Sequence, residues 1–314
     1  MNEVPHSLLE LEAFCVEMNL YLKPYARINI TVPLPQLKQP GQSISNWDLM
    51  EKIKKALSPI QLSSIKVTNS TIEMVRFEAE LANRKIMSKV IKALDGCSLK
   101  VVGFFEPLKV RVAEAKSDFP TRHDWDEFFR NADDMDELKA GERPDTIYLA
   151  KIPTNWFTDE SESPDLPSAK ILQQVFEQFG KIRCIDIPLL DKYRKQMSSD
   201  ISGIRSVSFS FGQDIFFEAY IQFYEYISFV RAMDTLRNMK LVRIMDDNKM
   251  FEAAIKVEFD KTRHLSEKKI QKRDNERRRL RAEERRRIDE EGGKKRLFFS
   301  ITIGYLNVYY LWFI

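Results

Sequence analysis

IYLAKI, from Ile147 to Ile152, and FFEAYIQF, from Phe216 to Phe223, decide the fold of this 314-residue chain. Both carry the pattern of a half-buried strand, on which successive side chains point to opposite faces. In the second segment Phe217, Ala219, Ile221 and Phe223 share one face, and Phe216, Glu218, Tyr220 and Gln222 share the other. The first set reads as core. In the first segment Ile147, Leu149 and Ile152 are the apolar positions and Tyr148 stands apart from them. Between the segments, Ile171, Leu172, Val175, Phe176 and Phe179 form a stripe at helical spacing, with Gly180 in the place of a C-cap. Lys181 to Ile187 reads as a strand. After the second segment, Phe229, Val230, Met233 and Leu236 make another helical stripe, and Ala254 to Phe259 closes the sheet. The order is β-α-β-β-α-β, which covers one face of an antiparallel sheet with two helices and leaves the other open.

This order, with a hexamer and an octamer on the central strands, is that of an RNA-recognition motif, in which exposed aromatics stack on bases. Tyr148 takes the stacking position of the hexamer. The octamer lacks its usual opening basic residue and glycine, and has Glu218 where its first aromatic is expected; only Tyr220 is kept. The RNA contacts expected on the open face are therefore Tyr148 and Tyr220, with Phe216, Lys151 and Gln222 beside them. Glu218 repels phosphate. A stacked base is worth roughly 1–3 kcal/mol, so losing one platform position weakens RNA affinity without abolishing it. The other reading is a ferredoxin-like sheet that docks protein, since fold alone does not fix function.

Pro188 to Ile215, between the second and third strands, is far longer than a hairpin loop of about 2–5 residues. It is expected to be a solvated insertion, because added loop length costs little. Its Tyr193, Arg194, Lys195 and Arg205 leave a contact with nucleic acid or a partner open.

The chain before this unit reads as a degenerate copy of it. Residues 1–20 are expected to form a short helix and 21–115 a second ferredoxin-like unit. Ile28, Ile30 and Val32 alternate as its first strand, Ser45 caps a helix bearing Leu49, Ile53 and Leu57, and strands follow at Leu62 to Thr68 and Thr71 to Glu78. A helix through Ile86, Val90 and Leu94 and a strand at Leu99 to Phe104 complete it. Its open face would carry Arg27, Asn29, Thr31, Ile72, Met74 and Arg76, with no aromatic to stack a base. In the linker, residues 116–143, Trp125, Phe128 and Phe129 lie on one side of a short helix. They are expected to pin the two units together; an exposed docking patch is the alternative.

Charge is unevenly distributed. The whole chain is +3, yet Lys261 to Arg296 holds 16 basic and 8 acidic residues, while Pro144 to Asp260 holds 14 basic and 18 acidic. Nonspecific affinity for nucleic acid comes largely from phosphate neutralisation, so residues 144–262 lack the footprint of an RNA binder and the basic segment, 263–296, must supply it. That segment is helical in composition, with too few apolar residues for a coiled-coil seam. It is a solvated charged helix or an arm on RNA; in the second case Arg277, Arg278, Arg285 and Arg286 meet phosphates. Residues 297–314 are almost wholly apolar. Their length just reaches that of a membrane helix, but a terminus translated from outside the usual coding frame fits as well, and is the expectation because nothing upstream is membrane-directed.

Three widely spaced cysteines and three scattered histidines form no disulfide framework, metal site or catalytic triad, and no phosphate-binding glycine loop is present. The expectation is a protein that is not an enzyme, with no cofactor and no metal.

Longer strings carry a resemblance. LYLKPYARINITVPLPQLKQPGQSISNWDLMEKIK, DFPTRHDWDEFFR, GERPDTIYL, DIPLLDKYR and FFEAYIQF are similar to the A-kinase anchor protein 17A family, also named splicing factor, arginine/serine-rich 17A, over roughly residues 20 to 270. The resemblance implies a nuclear speckle protein that acts with pre-mRNA and splicing factors on splice-site choice and tethers protein kinase A regulatory subunits. The family's anchoring helices lie in a long charged C-terminal region that this sequence leaves soon after entering, so the expectation is a truncated form with a divergent C-terminus. The helix from His264 to Glu291 has no apolar face wide enough for a regulatory-subunit dimer to grip.

Overall fold

The computed structural model describes residues 11–35, 44–101, 106–159, 161, 163–205, 215–245 and 249–311, with side chains as far as Gly292. The chain begins with β1 (Glu12–Cys15) and β2 (Leu20–Pro24), an antiparallel pair. A helix over 1–20 is therefore corrected in its described part. Phe14, Leu20 and Leu22 are buried on the pleat of a sheet, not along a helical face.

The first unit runs from β3 (Ala26–Pro33) through α1 (Asn46–Leu57), β4 (Ser64–Ser70), β5 (Met74–Leu81), α2 (Met87–Leu94) and the small pair β6 (Ser98–Leu99) and β7 (Leu108–Lys109) to β8 (Arg111–Glu114). Its sheet order is β4-β5-β3-β8. Alternation decides the faces: Ile28, Ile30 and Val32 are fully buried against Leu49, Ile53, Phe77 and Val90. The hydroxyl of Ser45 accepts a hydrogen bond from the Asp48 amide at 3.5 Å and so caps α1. The closing strand is β8, because Val112 and its neighbours pair with β3 whereas Ser98 and Leu99 pair with β7; of the strand expected at Leu99 to Phe104, residues 102–104 lie outside the described residues.

Next comes α3 (Arg122–Arg130), started by a capping box in which Thr121 and Asp124 satisfy each other's backbone amides. Trp125 is fully buried, with ring centroids 5.4 Å from Phe229 and 6.4 Å from Phe259, both in the second unit. The linker aromatics thus complete the core of that unit instead of bridging two cores.

The second unit comprises β9 (Thr146–Pro153), a small hairpin of β10 (Thr158–Asp159) and β11 (Ser163–Pro167), α4 (Ala169–Phe176), β12 (Ile182–Asp186), the one-turn α5 (Ser199–Ser202), β13 (Phe216–Phe223), α6 (Tyr226–Leu236), the hairpin β14 (Met239–Ile244) and β15 (Met250–Ala253), and β16 (Lys256–Phe259). The sheet order β12-β13-β9-β16 is the expected α+β arrangement of two ferredoxin-like units. Phe217, Ala219, Ile221 and Phe223 pack on Leu172, Val175, Phe229 and Met233, the side that alternation assigned to the core. Gly180 follows the helical turn after α4 at φ +145°, where a Cβ would lie 2.0 Å from the Ser228 hydroxyl, so no larger residue fits.

The β14 and β15 hairpin lies outside the expected pattern. It joins β1 and β2 in a separate sheet of order β1-β2-β14-β15. Since β2 runs almost directly into β3, this sheet ties the two units, helped by the Lys240–Glu80 ion pair and by Ser117 hydroxyl donation to Asn238 at 2.7 Å. The chain ends in α7 (Glu267–Leu311). The apolar segment 297–314 continues this helix to Leu311; its side chains and residues 312–314 lie outside the described residues. No helix among the described residues is long and apolar enough to cross a membrane.

Candidate nucleic-acid interface

The face of the second sheet opposite its helices presents one row of side chains across four strands. Register places Asp186 beside Tyr220, Tyr220 beside Tyr148, and Tyr148 beside Glu258. The two tyrosine rings lie 5.0 Å apart, as their positions in the hexamer and octamer require.

The row is not open. Tyr148 is 2% and Tyr220 1% exposed. The guanidinium of Arg205 lies 4.2 Å from the Tyr148 ring centroid and 5.4 Å from that of Tyr220. The imidazole of His264 stacks on Tyr220 at 3.9 Å, and Leu265 is buried against both tyrosines and Ala150. The Tyr220 hydroxyl donates to the Gly203 carbonyl at 2.9 Å. This corrects the expectation of an exposed stacking platform at Tyr148 and Tyr220. Gln222 is also buried: its amide donates to Asp145 at 3.0 Å and its oxygen accepts from Arg183.

The cover is built by the insertion, the turn before α7 and the first turns of α7, and Arg194 and Arg205 in it are both paired with carboxylates. Arg205 donates to Asp260 at 2.7 Å and Glu258 at 3.4 Å, and its backbone amide donates to Glu218 at 2.9 Å. Arg194, 2% exposed, donates to both Asp186 oxygens at 2.9 and 2.6 Å, to Asp191 at 3.1 Å and to the Ser202 carbonyl at 2.8 Å. Burial opposes ionisation of Asp186, but hydrogen bonds from His264 and Arg194 outweigh it and hold the carboxyl well below the usual carboxylate range. His264 Nε2 lies 2.7 Å from Asp186, while Nδ1 faces the Arg273 guanidinium at 3.3 Å. Arginine can only donate, so Nδ1 accepts and Nε2 carries the proton. Burial and the Arg273 charge together outweigh the pull of Asp186 and lower the His264 pKa. Burial, reinforced at Tyr148 by the Glu218 charge, raises both phenol pKa values. Gly203 admits this packing: at φ +76°, an added Cβ would lie 2.3 Å from the His264 ring.

The described part of the insertion, residues 188–205, is therefore a clamp, not a solvated loop. Residues 206–214 lie outside the described residues. The first half of α7 docks on it: Leu280 packs with Tyr193, Met197 and Ile201, Arg277 pairs with Asp191 at 2.9 Å, Lys192 with Glu284 at 2.7 Å, and Lys269 with Asp200. Arg273, Arg277, Leu280 and Glu284 are spaced as one helical face. Arg277 is thereby used in docking, and Arg278 is exposed while donating to Asn275 at 2.9 Å. Arg285 and Arg286 are exposed beyond the docked part. Phe216 is 54% exposed and Lys151 is exposed. Sequence reading missed His264, Leu265, Asp186 and Arg273 as parts of this face. The usable signals were the length of the insertion and a glycine, Gly203, at its inner end.

Among the described residues no His, Cys, Asp and Glu group is arranged to hold a metal ion. Two solved structures are similar at 13% identity. The N-terminal three RNA-binding domains of a yeast splicing factor cover 74% of this chain and 66% of that one, with a TM-score of 0.20. RNA recognition domains 1 and 2 of Drosophila melanogaster Sex-lethal cover 69% and 98%, with a TM-score of 0.20. A-kinase anchor protein 17A of Homo sapiens is 47% identical over 277 residues, 88% of this chain and 39% of that protein. The chain thus spans about two fifths of that relative's length. Residues 78–297 match the family model described as AKAP-17A-like, RNA-binding domain, which takes in the whole second unit, its clamp and the docked part of α7. With that match over most of its length and nearly half its residues shared with a curated relative, the chain belongs to the A-kinase anchor protein 17A family.

Proposed function

We propose that this chain is an RNA-binding regulator of pre-mRNA splicing that works with splicing factors in nuclear speckles. The observation that carries this reading is the rigid seating of an arginine-rich helix on an RNA-recognition sheet, so that Arg278, Arg281, Arg285, Arg286 and Arg287 project from a fixed base. Phosphate neutralisation drives nonspecific RNA affinity, and the acidic second unit needs such a partner in cis. In this reading Arg278, Arg285 and Arg286 meet phosphates, Phe216 and Lys151 make the sheet-side contacts, and Tyr148, Tyr220, Gln222 and Arg277 hold the helix in place.

The test is fluorescence anisotropy of the full chain with a single-stranded RNA across a salt series. Replacing Arg285 and Arg286 by alanine is expected to weaken binding and to reduce the slope of log affinity against log salt by about 1.4, since each single-strand phosphate contact contributes about 0.7. An unchanged slope would remove these arginines from the interface, and no affinity in the unmodified chain would remove the RNA reading. One observation favours a second reading, a scaffold for spliceosomal proteins or protein kinase A regulatory subunits: the tyrosines are closed. That reading predicts partner recovery that survives ribonuclease treatment.

A further inference from the structure

Pairing of β13 with β9 slips by one residue, so that Ala150 and Lys151 together oppose Glu218. Lys151 takes a left-handed backbone, φ +59°, uncommon for a residue with a side chain and frequent at bulges that re-aim it. The bulge sets Lys151 on the rim of a cleft of about 470 Å³, where the second unit's sheet meets the sheet of β14 and β15. Phe216 from β13 and Phe251 from β15 line it, 54% and 50% exposed, over the buried Trp156. Two large aromatic rings left open at the edge of a sheet whose own tyrosines are closed call for an occupant.

Charge selects its kind. Glu252 also lines the cleft, but its carboxylate is taken up by Lys23 and by Lys240 at 3.3 Å. Lys151 has no ion-pair partner among the described residues. A protein covering the cleft would have to dehydrate both Lys151 and the Glu252–Lys240 pair. A nucleotide neutralises the first, offers a ring face to the aromatics and leaves the pair in water. We propose that this cleft holds one unpaired nucleotide of a bound RNA, with its base against Phe216 and Phe251 and its phosphate on Lys151. This rests on the RNA reading above and displaces the base-reading site from the two tyrosines to the sheet edge.

The experiment measures affinity of the full chain and of Phe216→Ala, Phe251→Ala and Lys151→Ala for a fluorescein-labelled single-stranded RNA pool. Both phenylalanines are half exposed, so thermal unfolding of the variants should match the unmodified chain. Each phenylalanine variant is expected to bind about tenfold more weakly, the size of one lost base stack. Lys151→Ala should flatten the salt slope by about 0.7. A 4-thiouridine oligomer should crosslink to peptides containing Phe216 or Phe251. If the unmodified chain binds RNA and all three variants bind equally well, the cleft is not the site, Phe216 and Lys151 leave the interface, and the RNA reading rests on the helix arginines alone. If the unmodified chain binds no RNA, both fall. If RNA affinity is unchanged while Phe251→Ala loses a partner recovered from ribonuclease-treated extract, the cleft belongs to protein and the inference is overturned.

Discussion

Arg194→Ala is expected to destabilise the protein by about 3–5 kcal/mol, read from urea denaturation followed by tryptophan fluorescence, the range for removing one partner of a buried charge pair. The guanidinium is 2% exposed and makes four contacts, two of them to Asp186. Without it Asp186, largely shielded from water beside Tyr220, keeps only the hydrogen bond of a neutral imidazole and the more remote Arg273 charge. The Ser202 carbonyl also loses its donor. A double variant, Asp186→Asn with Arg194→Met, removes charge and countercharge together and should recover a good part of the loss. A loss below about 1 kcal/mol for the single variant would mean that the clamp is loosely held in solution.

The same cluster makes stability depend on acid. The folded-state pKa of His264 is depressed below its ordinary 6.5, so the unfolded chain binds the proton more readily. Stability should therefore begin to fall as pH drops below about 6.5. Asp186 is likewise depressed below its ordinary 3.8, so its contribution is complete above that value and is lost as pH falls through the folded pKa. Acid unfolding of the chain should thus start in the histidine range, and His264→Asn should remove that early limb, as seen by denaturant midpoints between pH 7 and pH 5.

The two sheets were legible because their strands are long and alternate. Ile28, Ile30 and Val32, or Phe217, Ala219 and Ile221, can satisfy only one face. Glu12–Cys15 was not, since four residues carry almost no periodic signal and their sheet extends to β14, more than two hundred positions away. The docked face of α7 was hidden for another reason. It presents Arg273, Arg277 and Glu284 with a single apolar residue, Leu280, which meets Tyr193, Met197 and Ile201, while Asp191 and Lys192 pair with its charges. Hydrophobic periodicity cannot register a helix face on which one apolar residue stands among ion-paired charges. The octamer itself was read correctly as to side, but alternation reports only which side chains share a face. Whether another part of the chain lies over that face depends on contacts between Gly203, Arg205 and His264, distant in sequence.

The covered tyrosines give the second large effect. Tyr220→Ala is expected to cost about 3–5 kcal/mol, as aromatic truncations in closed sites do, because the ring supports Tyr148 at 5.0 Å and His264 at 3.9 Å. Tyr220→Phe keeps the ring and removes only the hydroxyl that donates to Gly203, costing about 1 kcal/mol. The pair separates two roles for the residue. If Tyr220 is the joint between sheet and helix, RNA affinity should be unchanged in Tyr220→Phe. In Tyr220→Ala it should be lost only to the extent that the protein unfolds or α7 is released, with amide exchange rising in α5 and from Glu267 to Glu284. A folded Tyr220→Ala protein that keeps α7 protected and still loses RNA would mean that the ring meets a base after the cover swings away. The pairing of Asp186, Glu258 and Asp260 with arginines of that cover argues for the joint, since opening it exposes these three carboxylates to an approaching phosphate. Three carboxylates freed from their arginines repel the ligand that would have to displace them.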